Sequence, residues 1–282
     1  MKVVYQGIEG SYHDAALREF AQLHNLEARG LPDPDYFGEV FDRVINETGY
    51  GWVAISNSQA GTVYQCMDQF RQHDVRIIGE YYFRVDHCFA IKRETELSHV
   101  QAVYSHIQAL EQCSEYSRKH GLRAEMYHDT AAAAELVASS GQPLGCYCSE
   151  TAAELHGLQI VSRAVQNKRE NYTRFLLICN KENAERFLSR YDGRENWKTT
   201  LMFTTKDIPA ALYKCLGGFA TNGVNLTKLE SRPTGQNLFE YFFYMDIEGK
   251  QDQDKVIRAV NELKMFARSI RSLGSYPEHS RS

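Results

Sequence analysis

No stretch of about 18 apolar residues occurs in this 282-residue chain, so no membrane-spanning helix is expected. The first apolar run is broken at Gly7, too short for a secretory signal, which points to a cytoplasmic protein. Lys and Arg form no long run and the formal net charge is -4, which argues against a nucleic-acid footprint. No C-x-x-C pair exists. The seven cysteines are an odd number, with Cys146 and Cys148 the nearest pair, so buried free thiols are expected rather than a disulfide framework. There is no H-E-x-x-H and the histidines are scattered, so no metal is expected. Internal repeats and low-complexity segments are absent too. What remains is a 43% hydrophobic chain able to build ordinary cores, long enough for two domains or one large one. An anionic ligand would have to be held by local groups, since there is no strong overall field.

The first part of the chain alternates strand and helix patterns. Residues 3–5 form a short apolar strand. Tyr12, Ala15, Ala16, Phe20 and Leu23 then fall on one helix face. Phe37, Val40, Phe41, Val44 and Ile45 mark a second helix. Further strands are expected over 52–55, 77–78, 88–91 and 175–178, and helices over 108–119, 130–139 and 149–156. This alternation predicts an α/β domain with a mainly parallel sheet over 1–180. Residues 181–196 are polar and carry an Asp192-Gly193 turn, and are read as a linker. Over 197–276 the order becomes strand 199–204, helix 208–222, strands 224–231 and 241–247, helix 253–266 and strand 269–273. That βαββαβ order is ferredoxin-like, a topology that names no function by itself.

Five segments could carry chemistry. Gly7-Ile8-Glu9-Gly10-Ser11 opens directly into a helix, where backbone N–H groups suit an anion; an ordinary turn capped by Ser11 fits as well. Ser56-Asn57-Ser58, followed by Gly61 and Thr62, lies at the carboxyl end of a strand, where open α/β sheets bind ligands; a solvated turn is the alternative. Gln108 lies near a helix start after His106, and Asp129 or Thr130 can cap the alanine-rich helix that comes next. Thr173 and Phe175 share one strand face, with Arg174 on the other. Thr173 could meet a ligand over an aromatic wall from Phe175, or simply be a good strand former, and Arg174 suits a structural ion pair. Asn225 stands at a strand start beside Gly223, in a strand stopped by Pro233.

Together these segments resemble the prephenate dehydratase family over nearly the whole chain. Gly7-Ile8-Glu9-Gly10-Ser11-Tyr12-His13 is similar to the family's G-P-E-G-T-F-S, and Ile55-Ser56-Asn57-Ser58 to its I-E-N-S. His106-Ile107-Gln108-Ala109-Leu110 resembles H-P-Q-A-L, and residues 171–175 match N-x-T-R-F in full. The later strand is similar to the N-L-T…E-S-R-P signature of a phenylalanine-binding ACT domain. The resemblance implies a two-lobed, type II periplasmic-binding-protein-like catalytic domain followed by an ACT domain. It implies conversion of prephenate to phenylpyruvate, carbon dioxide and water, without metal or cofactor. Thr173 would be the catalytic hydroxyl, with Asn57 and Gln108 as polar partners. Gly7, Gly10, Ser11, Ser58 and Thr62 would contact substrate, with Phe175 as the wall. Ala210, Ala211, Leu212, Asn225, Leu226, Glu230, Ser231, Arg232 and Pro233 would bind the effector phenylalanine, in a homodimer or homotetramer. Arogenate turnover and non-catalytic amino-acid sensing are the alternatives, and a decarboxylase that leaves the ring non-aromatic is disfavoured by the intact 171–175 motif. The chain departs from the family at Ala54 and Ile107, where Pro is usual, at Ser56, where Glu is usual, and at Ala210, where Gly is common.

Overall fold

The computed structural model describes residues 1–33, 36–235 and 240–279. They divide into two compact units, Met1–His73 with Tyr81–Leu176, and Asp74–Glu80 with Leu177–Ser282. The chain opens with β1 (Lys2–Gln6), α1 (Tyr12–Leu23), β2 (Arg29–Asp33), α2 (Phe37–Arg43) and β3 (Tyr50–Asn57). Next come β4 (Gly61–Thr62), α3 (Tyr64–Gln72) and β5 (Val75–Arg84). A second run comprises β6 (Cys88–Ile91), β7 (Ala102–Ser105), α4 (Ile107–Gln112), α5 (Ser114–His120), β8 (Arg123–Met126), α6 (Thr130–Ser139), β9 (Leu144–Cys148), α7 (Glu150–Leu155) and β10 (Gln159–Ser162). β11 (Tyr172–Asn180) then returns to the first sheet, whose order is β2-β1-β3-β11-β5 with β4 on β3. The second sheet runs β10-β6-β9-β7-β8. Each sheet is the centre of one lobe, as expected of a two-lobed α/β domain.

In the first lobe the described registers are mainly parallel, as expected, with β1 parallel to both β2 and β3 and only the two-residue β4 antiparallel to β3. It needs correction in the second, which is mixed: β7 is parallel to β8 and β9, but β6 is antiparallel to β9 and β10. The expected helix over 108–119 is broken at Cys113, whose φ of -108° and ψ of 15° end α4 and start α5. In the first lobe, Trp52 lies flat on Phe175 with centroids 5.4 Å apart, and Phe20 packs against Trp52 at 5.0 Å. Burying side chains of this size contributes about 2–3 kcal/mol each. In the second lobe, Ala131, Ala133 and Ala134 of α6 are buried beside Ala152 and Ala153 of α7, so small residues set a close approach.

The second unit carries α8 (Lys181–Leu188), β12 (Trp197–Thr205), α9 (Ala211–Thr221), β13 (Leu226–Pro233), β14 (Tyr241–Glu248), α10 (Asp254–Phe266) and β15 (Ala267–Pro277). Residues 181–196, expected as a linker, are thus partly helical: Asn180 caps α8, its Oδ1 accepting from the Asn183 N–H at 3.2 Å. The strand order β13-β14-β12-β15 is the ferredoxin-like one. Leu201, Phe203, Phe219, Met245, Val256 and Leu263 form the core between sheet and helices. α9 and α10 meet at Gly218, where a Cβ would stand 2.6 Å from that of Glu262. Within the same unit, the 74–80 segment runs close to β15, and a Cβ on Gly274 would collide with the Ile77 carbonyl oxygen. Beside it, the buried Lys198 Nζ donates to Glu80 Oε1 at 2.8 Å and lies 3.2 Å from Glu278 Oε1.

Removing one member of such a buried pair strands the other's charge. Lys198→Met is expected to lower stability by ~3–5 kcal/mol, and adding Glu80→Leu is expected to restore most of that loss. Urea unfolding of both variants checks it.

Candidate active site

The site is built where β3 ends next to β11. At the end of β3, Asn57 folds the chain back in a side-chain-capped turn: its Oδ1 accepts from the backbone N–H groups of Gln59 and Ala60, both at 2.9 Å. Those two bonds decide which way the amide faces. The Nδ2 end must therefore donate outward, and it reaches Asn171 Oδ1 at 2.8 Å and Thr173 Oγ1 at 3.0 Å. Thr173 is thus an acceptor from Asn57, and its own O–H donates to no group among the described residues. Ser58 clasps the two segments: its N–H donates to the Tyr172 carbonyl at 2.8 Å, and its Oγ accepts from the Tyr172 N–H at 2.9 Å.

Behind Asn57 lies a chain of polar groups, of which Asn171 and His87 are buried and Gln112 and Tyr12 partly so. Asn171 is fully buried and donates from Nδ2 to Gln112 Oε1 at 2.9 Å. The same oxygen is 2.8 Å from His87 Nε2, and His87 Nδ1 is 2.7 Å from the Tyr12 hydroxyl. An amide oxygen can only accept, so His87 carries its proton on Nε2 and accepts from Tyr12 at Nδ1. Burial lowers the His87 pKa and raises that of Tyr12, which keeps both neutral. Gln166 holds the segment between β5 and β6: its Oε1 accepts from the His87 N–H at 3.0 Å and its Nε2 donates to Asp86 Oδ1 at 2.6 Å.

Of the residues singled out in the sequence, Thr173, Asn57 and Ser58 come together. Thr62 lies nearby on β4, opposite Ser56. Gln108 does not join them: its side chain is exposed in the first turn of α4 and bonds to neither Asn57 nor Thr173. The contact from this helix comes from Gln112, one turn further on. Phe175 is 1% exposed, stacked on Trp52 and edge-on to His13, so it is the floor beneath Thr173 and not an open wall. Gly10 and Ser11 are also turned inward. The Gly10 N–H donates to Asp14 Oδ2 at 3.0 Å, its carbonyl accepts from Ser149 Oγ at 2.6 Å, and Ser11 caps α1. Gly7 and Gly10 hold φ of +101° and +84°, which glycine tolerates without strain. Arg174 is buried with its guanidinium 5.8 Å from the Tyr82 ring centroid. Sequence reasoning missed Asn171, Gln112, His87 and Tyr12 as site residues. Asn171 opens the N-x-T-R-F motif and could have been found there, but the other three lie far from one another in sequence.

In the second unit, Asn225 and Leu226 line a pocket of about 550 Å³ together with Thr227, Arg194, Lys198 and His279. The other expected effector residues lie elsewhere: Ala210, Ala211 and Leu212 at the start of α9, and Glu230, Ser231, Arg232 and Pro233 along the end of β13. Ala210 adopts the left-handed conformation, φ 56° and ψ 34°, where glycine is at ease and alanine is strained. Among the described residues, no three His, Cys, Asp or Glu side chains are placed to hold a metal ion.

A family model described as "Prephenate dehydratase" matches residues 3–183. A bifunctional chorismate mutase/prephenate dehydratase of Aquifex aeolicus is 33% identical over 282 residues, covering 99% of this chain and 74% of that protein. A solved structure described as GqqA, a novel type of quorum quenching acylase, is 30% identical with a TM-score of 0.86, covering 99% of this chain and 98% of that one. A prephenate dehydratase of Arthrobacter aurescens in complex with L-Phe is 27% identical with a TM-score of 0.85, covering 99% and 90%.

His13, against Phe175, also has a measurable signature. Its Nε2 is buried with no hydrogen-bond partner, and burial pushes its pKa from 6.5 down to about 4, against a weaker opposing pull from Asp129. Between those two values the unfolded chain binds a proton that the folded chain does not. Stability is therefore complete above about pH 6.5 and falls as the pH drops towards 4, by roughly 3 kcal/mol in full. His13→Leu is expected to flatten this part of the acid limb, which urea midpoints at pH 7 and pH 5 measure.

Proposed function

The chain belongs to the prephenate dehydratase family, and from that premise we propose that it converts prephenate to phenylpyruvate, carbon dioxide and water. The observation that carries the reading is the Thr173 hydroxyl, which accepts from Asn57 and keeps its own hydrogen for a ligand. In this reaction one ring carbon loses its carboxylate as carbon dioxide. The electron pair left in the ring makes it aromatic and expels the hydroxyl group opposite. That group leaves as hydroxide unless a hydrogen is offered to it as the C–O bond breaks. Thr173 supplies that hydrogen bond, and the Asn57 amide holds its oxygen in place. A proton taken up from the solvent turns the departing hydroxide into water, so the reaction consumes one proton. Donors placed in this way contribute ~10²–10⁴ in rate. An alcohol has no useful pKa near neutrality, so Thr173 acts as an oriented donor and not as a free acid.

A nucleophilic role, as in acyl transfer, finds less support. An activated Thr needs a base to take its proton, whereas Asn57 donates to Thr173. Arogenate loses the same two groups as prephenate, so Thr173 does not discriminate between them. The second unit is proposed to act as an ACT-type sensor of phenylalanine. This is supported by its ferredoxin-like strand order, by its resemblance to the N-L-T…E-S-R-P signature, and by the pocket beside Asn225 and Leu226.

Turnover of prephenate and arogenate, followed by detection of phenylpyruvate or phenylalanine, tests the activity. Thr173→Ala is expected to lose ~100-fold or more in kcat while Thr173→Ser keeps a large part of it. Equal activity in the alanine variant rejects the role given to Thr173. Added phenylalanine is expected to change the rate of prephenate turnover, and Asn225→Ala to weaken that response. A rate unmoved by phenylalanine rejects the sensor but not the enzyme, whereas phenylalanine binding without turnover of either substrate favours a non-catalytic sensor.

A further inference from the structure

The polar chain behind Asn57 has a single direction. Two backbone N–H groups fix the Asn57 oxygen, so Asn57 donates to Asn171 Oδ1. Asn171 must then present Nδ2 to Gln112, and Gln112 accepts with the one oxygen that also accepts from His87. If Asn171 turned over, its amino group would face the amino group of Asn57, and the donor to Thr173 would be pushed out of place. Among the described residues, two hydrogen bonds hold the Asn171 side chain in its present sense, one accepted from Asn57 and one donated to Gln112. Gln112 ends α4 in the second lobe, whereas Asn57 and Thr173 belong to strands of the first. The backbone around this contact is tied as well: Val85 N–H donates to the Asn171 carbonyl and Asn167 N–H to the Gln112 carbonyl, both at 2.7 Å.

We propose that Gln112 is a positioning residue, whose oxygen holds the Asn171 amide in the sense that lets Asn57 align the Thr173 hydroxyl, so that the second lobe sets the geometry of a donor on the first. The assignment rests on the dehydratase reading. Only the oxygen of Gln112 takes part in this chain, and that makes a selective test possible. Gln112→Glu keeps an acceptor for both Asn171 and His87, whereas Gln112→Met keeps the length and removes the acceptor.

The test measures kcat and KM for prephenate in the full-length wild type and both variants, alongside their thermal midpoints. Gln112→Met is expected to lose roughly 10- to 100-fold in kcat with little change in KM, the cost of a misplaced reacting group. Gln112→Glu is expected to recover most of that loss. An active wild type with an equally active methionine variant overturns the assignment alone, as does a folded glutamate variant no better than the methionine one. If the methionine variant does not fold, the glutamate variant decides: kcat near wild type supports the assignment, and a tenfold or larger loss in a folded chain overturns it. A wild type that forms no phenylpyruvate overturns the dehydratase reading and this assignment with it.

Discussion

The amide of Asn57 has one orientation open to it, because its oxygen is held by two backbone N–H groups of its own turn. The rest of the site depends on that constraint. With the oxygen engaged, the nitrogen faces Asn171 and Thr173, and Thr173 is left as an acceptor with a hydrogen to give. An Asn in a turn is ordinary. It becomes functional here because β11 runs beside β3 and puts a hydroxyl in the path of the outward-facing amino group. The chemistry therefore rests on the sheet order as much as on either side chain.

The order of strands explains why the site has two origins in the sequence, more than a hundred positions apart. Leaving the first sheet after β5 and returning as β11 lets a residue near position 57 meet one near 173. The same excursion builds the second lobe, whose α4 delivers Gln112 to the same network. His87 and Asn171 lie on the two connecting segments, and their backbones and side chains are bonded to one another's neighbours. A polar chain through such a place is costly unless every group is paired, because a buried unpaired amide loses its hydration without return. From Asn57 to Tyr12 the contacts run from donor to acceptor without a break.

Much of the fold could be read from pattern. Tyr12, Ala15, Ala16 and Phe20 gave α1 by spacing, residues 130–139 gave α6 to its limits, and the βαββαβ order of the second unit was visible once the apolar runs were counted. The failures have physical causes. α8 buries only Phe187 on an otherwise polar surface, so it passed for a linker. β8 is only four residues long and almost wholly exposed, so it has no apolar run to mark it. In the site, Thr173 and Asn57 stood in recognisable motifs, whereas Gln112, His87 and Tyr12 carry no local signature and are joined only by the tertiary fold. Gln108 and Gln112 share one face of α4, and spacing could not decide which of them turns inward. Phe175 was placed on the face of Thr173 by strand alternation; its depth in the core depends on Trp52 and His13, which the alternation does not contain.

The most direct measurement of the central claim is the turnover of Asn57→Asp. An aspartate caps the same turn through the same oxygen position, so the fold and the 57–60 turn are retained. It offers Thr173 an acceptor in place of a donor, and the hydroxyl hydrogen turns inward towards the carboxylate. At saturating prephenate, phenylpyruvate formation is expected to fall by roughly 100-fold, the scale of a lost oriented hydrogen-bond donor, with the thermal midpoint little changed. A folded Asn57→Asp chain that turns over at the wild-type rate would contradict it.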